Sequence, residues 1–171
     1  MKTISLSIIC LIFSLFSCNQ KKENDVPVPV TVPTKKITES DISKLKYLEY
    51  GLDIKTEKAI ESWEKYKELE DIAAKLKKGD LTFFKDNSEA IKTFLKEFKE
   101  KIPDTLNTPS VTARINALET KLYKLESLTN LSTTTKEELS STIKEFLESL
   151  SNLNLQMNKK LEKDTQDFNI Q

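Results

Sequence analysis

The stretch KEELSSTIKEFLESLSNLNLQMNKKL, residues 136–161, decides the fold. Its apolar residues recur every three or four positions, the period that places side chains on one face of an α-helix. It contains no glycine or proline, so nothing in it interrupts a helix. We predict a long amphipathic helix, begun by a capping box of Thr134 and Glu137. Its apolar stripe comprises Leu139, Ile143, Phe146, Leu150, Leu153, Met157 and Leu161, with Leu147 beside it.

The same period extends over residues 39–78, where we predict one long helix. Thr38 or Ser40 is placed to cap its start, and the lysines before Gly79 suit its end. Gly51 is the weak point of this segment and marks either a bend or a close contact between helices. The stripe runs through Ile42, Leu45, Leu48, Leu52, Ala59, Trp63, Tyr66, Ala73 and Leu76.

Two shorter helices lie between these long ones. Residues 81–102 predict a helix interrupted near Asp86-Asn87, where Asp86 and Glu89 have capping-box spacing. Thr108-Pro109 is typical of a helix start, because proline suits the first helical position. The third helix then follows near-heptad spacing of Val111, Ile115, Leu118, Leu122, Leu125 and Leu128, and Asn130 closes it.

These segments predict an all-α domain over residues 39–171, built as an elongated antiparallel bundle of four helical segments. The alternative is a three-column bundle with segments two and three end to end, which matches the helix lengths better. The loop over residues 103–109, with a proline at each end, and the general frequency of up-down bundles favour four columns. The coiled-coil-like stripes also allow self-association.

The chain carries no histidine, and its two cysteines are Cys10 and Cys18. Zinc sites built from cysteine and histidine are therefore excluded, as are Ser-His and Cys-His nucleophile pairs. The 27 basic residues balance 27 acidic ones, without the basic excess or stripe of a nucleic-acid binder. We predict no catalytic residues, no metal site, no cofactor and no nucleic-acid partner.

Residues 1–17 are mostly apolar, too few to cross a bilayer and typical of a signal peptide. Leu15, Ser17 and Cys18 match the lipobox at positions −3, −1 and +1, although Phe16 at −2 is less usual. The segment resembles the leaders of bacterial lipoproteins. That resemblance implies cleavage between Ser17 and Cys18 and acyl chains attached at Cys18, which anchor the protein in a membrane. The alternative is an ordinary secretory signal with an incidental cysteine.

Residues 18–38 predict a tether between this anchor and the bundle. Pro27, Pro29 and Pro33 block helix formation and favour a semi-rigid extended chain. Such a tether would hold the domain off the lipid. The alternative is a docking motif for a partner that recognises proline-rich segments.

The aromatic residues divide into core and surface candidates. Trp63 and Tyr66 fall on the apolar stripe, which predicts burial. Tyr47, Tyr50 and Phe83 fall off the predicted stripes, so they are the candidate surface contacts for a protein partner.

The overall plan is similar to that of small all-helical outer-surface lipoproteins of spirochaetes. That resemblance implies a surface-displayed binding module in the outer membrane that contacts host or extracellular macromolecules. Asn19 after Cys18, in place of an acidic retention signal, also favours the outer membrane. The alternative is a structural or accessory envelope lipoprotein that faces the periplasm. A third hypothesis, a helical enzyme or metal carrier, would require a deep polar pocket.

Overall fold

The computed structural model describes residues 36–168, and the side chains up to residue 166. The lipobox, the cleavage site at Ser17 and Cys18, and the tether up to residue 35 lie outside the described residues. Residues 36–168 form α-helices and one 3-10 helix, without a strand, so the predicted all-α helical bundle is confirmed. The elements are α1 (Glu39–Ile42), α2 (Ile54–Ala59), α3 (Glu64–Lys77), the 3-10 helix η1 (Thr82–Phe84), α4 (Ser88–Glu100), α5 (Pro109–Asn130) and α6 (Lys136–Phe168).

Helices α3 to α6 run up and down side by side. Lys65 at the start of α3 pairs with Glu97 near the end of α4 at 2.8 Å, so these helices are antiparallel. Asn130 at the end of α5 donates its amide to the Phe84 carbonyl, just before α4, at 2.9 Å. The second and third predicted segments therefore lie beside each other. The end-to-end arrangement is not the one found.

One apolar core joins the helices. The stripes predicted for α5 and α6 are confirmed, with Leu128, Leu150 and Leu161 only partly buried at the edges. Aromatic rings contribute much of the core volume, and such rings bury large apolar areas. The largest fully buried side chains include Trp63, Tyr66, Phe84, Phe98 and Phe146.

The single long helix predicted over residues 39–78 is wrong. The chain forms one turn of helix as α1, leaves helical structure over residues 45–53, and returns to it as α2 and α3. Leu48, predicted on the apolar stripe, is consequently 73% exposed. Residues 45–53 find hydrogen-bond partners on α6 instead of within a helix of their own, and local helix propensity is weaker than such tertiary contacts. We call residues 45–53 the strap.

Several helix ends lie where the residues predict them. The Thr38 hydroxyl accepts from the Asp41 amide, and the Asp41 carboxylate accepts from the Thr38 amide, which completes a capping box. Thr108 caps α5, and Pro109 is its first residue. The α5 helix ends at Asn130, as predicted.

The two predicted capping boxes, at Asp86 and at Thr134, are wrong. Asn87 caps α4 without a side-chain hydrogen bond, while Asp86 adopts a positive φ of 50°. The Asp86 amide donates to the Asn130 side chain at 2.9 Å, so a tertiary contact holds this turn. At the start of α6, the Thr135 hydroxyl accepts from the Glu138 amide at 3.1 Å, one residue later than predicted. Thr134 is buried instead.

Gly79 ends α3 as predicted, in a left-handed conformation with φ 83°. Its amide donates to the Leu76 carbonyl and the Asp80 amide to the Lys75 carbonyl, the two bonds of a Schellman motif. A Cβ at this position would lie 2.9 Å from the Ile37 carbonyl oxygen. Gly51, by contrast, lies in the strap, where an added Cβ would meet no heavy atom within 4 Å. It therefore marks no close contact between helices.

These two glycines give a matched pair of substitutions. Gly79→Ala is expected to lower the free energy of unfolding by about 2 kcal/mol, because alanine is strained in the left-handed region and its Cβ would press on the Ile37 carbonyl. Gly51→Ala is expected to change it by no more than about 0.5 kcal/mol. Urea denaturation followed by circular dichroism measures both values. Similar losses for the two variants would contradict this assignment.

Candidate functional site

The strap and the first residue of α2 carry an unusual share of the exposed apolar surface. Leu48 is 73% exposed, Tyr50 38% and Ile54 84%. Single exposed apolar side chains are ordinary on protein surfaces, but a cluster within seven residues marks a candidate interaction site. Other strap residues point inward, since Leu45, Tyr47 and Leu52 pack against the core.

Three polar side chains of α6 hold the backbone of the strap. Ser151 accepts from the Tyr50 amide at 2.7 Å and donates to the Leu48 carbonyl at 2.9 Å. Asn154 donates to the Tyr50 carbonyl at 3.0 Å. Its own oxygen accepts from the buried Tyr66 hydroxyl at 2.6 Å. The strap is therefore connected through Asn154 to the core of the bundle.

The third side chain, Asn158, makes the same kind of contact one turn further along. It donates to the Gly51 carbonyl at 2.9 Å and accepts from the Asp53 amide at 3.1 Å. Residues 151, 154 and 158 are three and four positions apart, so they lie on one face of α6. We call Ser151, Asn154 and Asn158 the polar ladder.

The polar ladder explains why the strap needs no secondary structure of its own. Backbone amides and carbonyls that leave a helix must find other partners, and the ladder supplies them. Helix α6 has 33 residues against 22 for α5, so its second half extends past its neighbour and packs against the strap and α2. Because the ladder takes up backbone groups of the strap, the strap presents the side chains of Leu48 and Tyr50 to solvent.

One ion pair holds the chain just before the strap, and another holds the strap itself. Asp41 in α1 pairs with Lys136 at 2.8 Å, and this hydrogen bond lowers the pKa of Asp41 to about 2. Glu49 pairs with Lys77 at the end of α3, which lowers the pKa of the Glu49 carboxyl. Both carboxylates therefore stay charged at neutral pH, and both pairs tie the strap region to the bundle.

The three predicted surface candidates lie in different surroundings. Tyr50 is exposed on the strap. Tyr47 is half-buried, its hydroxyl donates to Glu49 at 3.2 Å, and burial raises the pKa of Tyr47 to about 12. Phe83 is half-buried, and its ring meets that of Phe84 edge-on with centroids 5.2 Å apart. The structure brings Tyr47 and Tyr50 together on the strap and places Phe83 elsewhere. All three remain predictions as contact residues.

Sequence reasoning missed Leu48, Ile54 and the polar ladder. The helix predicted over residues 39–78 places Leu48 on a buried stripe. The signal for the ladder was present, since serine and asparagine are poor helix formers and favour hydrogen bonds to backbone groups. Their spacing on α6 marks one face, but it does not say which part of the chain lies against that face.

No helix within residues 36–168 is long and apolar enough to cross a membrane. In the same range, no group of acidic or sulfur-containing side chains is arranged to hold a metal ion.

No protein-family model, curated protein or solved structure matches this chain.

Proposed function

We propose that this protein is a lipid-anchored binding module, held in the outer membrane through Cys18 and displayed on the cell surface. The lipobox and the proline-rich residues 18–38 support the anchor and the tether. The bundle is the part that meets a partner, for which we propose a host or extracellular macromolecule. One observation carries the proposal of binding. Three of the five large apolar side chains that are exposed among the described residues lie within residues 48–54.

The way the strap is held makes it suitable for binding. A loop that becomes ordered on binding loses conformational entropy and so weakens the complex. The five hydrogen bonds from the polar ladder hold the strap backbone in place before a partner arrives. Tyrosine is also a frequent energetic centre of protein interfaces, because it offers a large rigid surface and a hydroxyl. We therefore place the centre of the interface at Tyr50 and Leu48.

The anchor and the display are tested on intact cells of a bacterium that processes lipoproteins. The wild-type chain is expected in the membrane fraction, and the Cys18→Ser variant is expected to lose its lipid label and leave that fraction. Protease added to intact cells is expected to remove the bundle domain. Full protection of the domain until the cells are broken would contradict display and support a position facing the periplasm.

The binding surface is tested by adhesion of the same cells to surfaces coated with extracellular-matrix proteins and glycosaminoglycans. The double variant Leu48→Ser, Tyr50→Ser is expected to lower adhesion about tenfold, as the loss of interface anchors does. Tyr123→Ser is the matched control, because Tyr123 on α5 is 37% exposed and lies outside the strap. Equal adhesion by the wild type and the strap variant, or equal losses in the two variants, would contradict the proposed surface.

A further inference from the structure

A groove lies on the bundle beyond the strap, where α2 and the end of α6 meet the loop between α4 and α5. It has a volume of about 630 Å³, within the range of small-molecule sites. The binding proposed for Leu48 and Tyr50 does not involve this groove. Its lining residues are Lys55, Lys58, Ala59, Thr105, Leu161, Asp164 and Thr165.

The lining of the groove is mainly apolar. Ala59 and Leu161 are half-buried and pack against the core, so they form its base. Lys55 and Lys58 are exposed and border the groove on the α2 side. Lysine side chains keep the ammonium group in water while their methylene stems cover apolar surface, which extends the apolar lining. An alkyl chain is the kind of group that such a surface would take up.

The two lysines of the groove make no close contact with a carboxylate. Neither Lys55 nor Lys58 forms an ion pair with any of the residues that the structure describes. The Lys55 ammonium donates to the Thr165 hydroxyl at 3.2 Å, which directs it across to α6. Asp164 is the acidic residue of the lining, and its charge is already matched by Lys160 one turn earlier. Asp53 is a nearby carboxylate whose charge interacts with that of Lys55. The α2 side of the groove therefore has two ammonium groups that no carboxylate of the described residues contacts at ion-pair distance.

We propose that this groove binds a small amphipathic anion, an unbranched alkyl chain that ends in a carboxylate. The chain would lie against Ala59 and Leu161, and the carboxylate would meet the ammonium groups of Lys55 and Lys58. Two cations next to apolar surface favour this class over neutral or cationic amphiphiles, because the ligand's charge is then paired rather than repelled. The lining of the groove includes neither Leu48 nor Tyr50, and the site does not depend on the lipid anchor.

Decanoate, used below its critical micelle concentration, is the probe that tests this site. The full chain carries Cys10→Ser and Cys18→Ser, and Thr105→Cys provides the one thiol for an environment-sensitive fluorophore in the groove. Decanoate is expected to give a saturable fluorescence change. Decanol and decyltrimethylammonium, which have the same chain length, are expected to bind at least about tenfold more weakly, since each lacks a carboxylate to pair with the lysines.

Charge-reversal variants then test whether Lys58 pairs with the carboxylate of decanoate. Lys58→Glu is expected to weaken decanoate binding about tenfold, and Lys58→Arg is expected to restore most of it, because arginine keeps the charge. Lys85→Glu is the matched control, because Lys85 lies on an exposed turn and does not line the groove. This variant is expected to leave decanoate binding unchanged. No saturable response to decanoate, equal binding of decanol, or equal losses for the two reversals would overturn the proposal. None of these outcomes depends on cell-surface display, so the two proposals fail or succeed separately.

Discussion

Replacing Trp63 with alanine is expected to destabilise the domain by about 3–5 kcal/mol, the range for removing a large aromatic side chain from a packed core. Trp63 is fully buried at the start of α3. Its ring lies 4.5 Å from the Phe98 ring and 5.5 Å from the Tyr66 ring, measured between centroids. Alanine would leave a cavity between α3 and α4 that the surrounding rings cannot fill without moving.

A hydrogen bond adds to the packing of this ring. The Trp63 indole nitrogen donates to the Phe98 carbonyl at 3.1 Å, near the end of α4. A carbonyl in the last turn of a helix has no partner within that helix, so the indole satisfies a group that would otherwise be unpaired. Trp63 therefore joins α3 to α4 through both its apolar surface and its polar nitrogen.

The control for this prediction is Trp63→Phe. Phenylalanine keeps much of the ring volume but cannot donate to the Phe98 carbonyl, so a smaller loss of about 1–3 kcal/mol is expected. Urea denaturation followed by far-ultraviolet circular dichroism compares the wild type with the two variants. Tryptophan fluorescence cannot be used, because Trp63 is the sole tryptophan and both variants lack it. A loss below about 1 kcal/mol for Trp63→Ala would contradict the described core.

The second large effect is expected at Asn154, which joins the strap to the core. Asn154→Ala is expected to lower the free energy of unfolding by about 2–3 kcal/mol, because it leaves the buried Tyr66 hydroxyl and the Tyr50 carbonyl without their partners. It is also expected to speed hydrogen exchange at the Tyr50 amide, since the strap loses one of the contacts that hold it. Exchange measured by mass spectrometry over residues 45–53 reads this second effect directly.

Two comparisons separate the contributions at this position. Asn152→Ala is the matched control, because Asn152 is exposed on the same helix and makes no hydrogen bond to the described part of the chain through its side chain. In a Tyr66→Phe background the hydroxyl is absent, so Asn154→Ala is expected to cost about 1 kcal/mol less. An equal cost in both backgrounds would show that the Tyr66 contact contributes little. Unchanged exchange in the strap would contradict the role given to the polar ladder.

Local signals predicted much of the helical framework. The Thr108-Pro109 start of α5 and the Gly79 end of α3 are determined by residues within one turn of each helix end. Such short-range hydrogen bonds depend on few residues, so they can be recognised from the amino-acid types alone. The capping box assigned to Asp86 failed because Asn130, 44 residues away, holds that turn.

The strap shows why the rest could not be predicted. Residues 39–78 carry helix-favouring residues at helical spacing, and this pattern alone indicates one continuous helix. The bonds that replace the helix come from residues about a hundred positions later, as in the contact between Tyr50 and Ser151. A period in the sequence reports which side chains share a face, but not which backbone segment will occupy that face. Leu48 is exposed for this reason.

The sequence by itself determined an all-α domain, the apolar stripes of α5 and α6, and a few helix ends, namely the start of α1, the end of α3 and both ends of α5. It also predicts a lipobox at Cys18, on which the proposed anchor depends. Only the tertiary structure decided that the first predicted helix is broken, that the polar ladder holds the strap, and that Lys55 and Lys58 border a groove. The physical reason is distance along the chain. Helix propensity and capping act over a few residues, whereas the strap and the groove arise where segments far apart in sequence pack together.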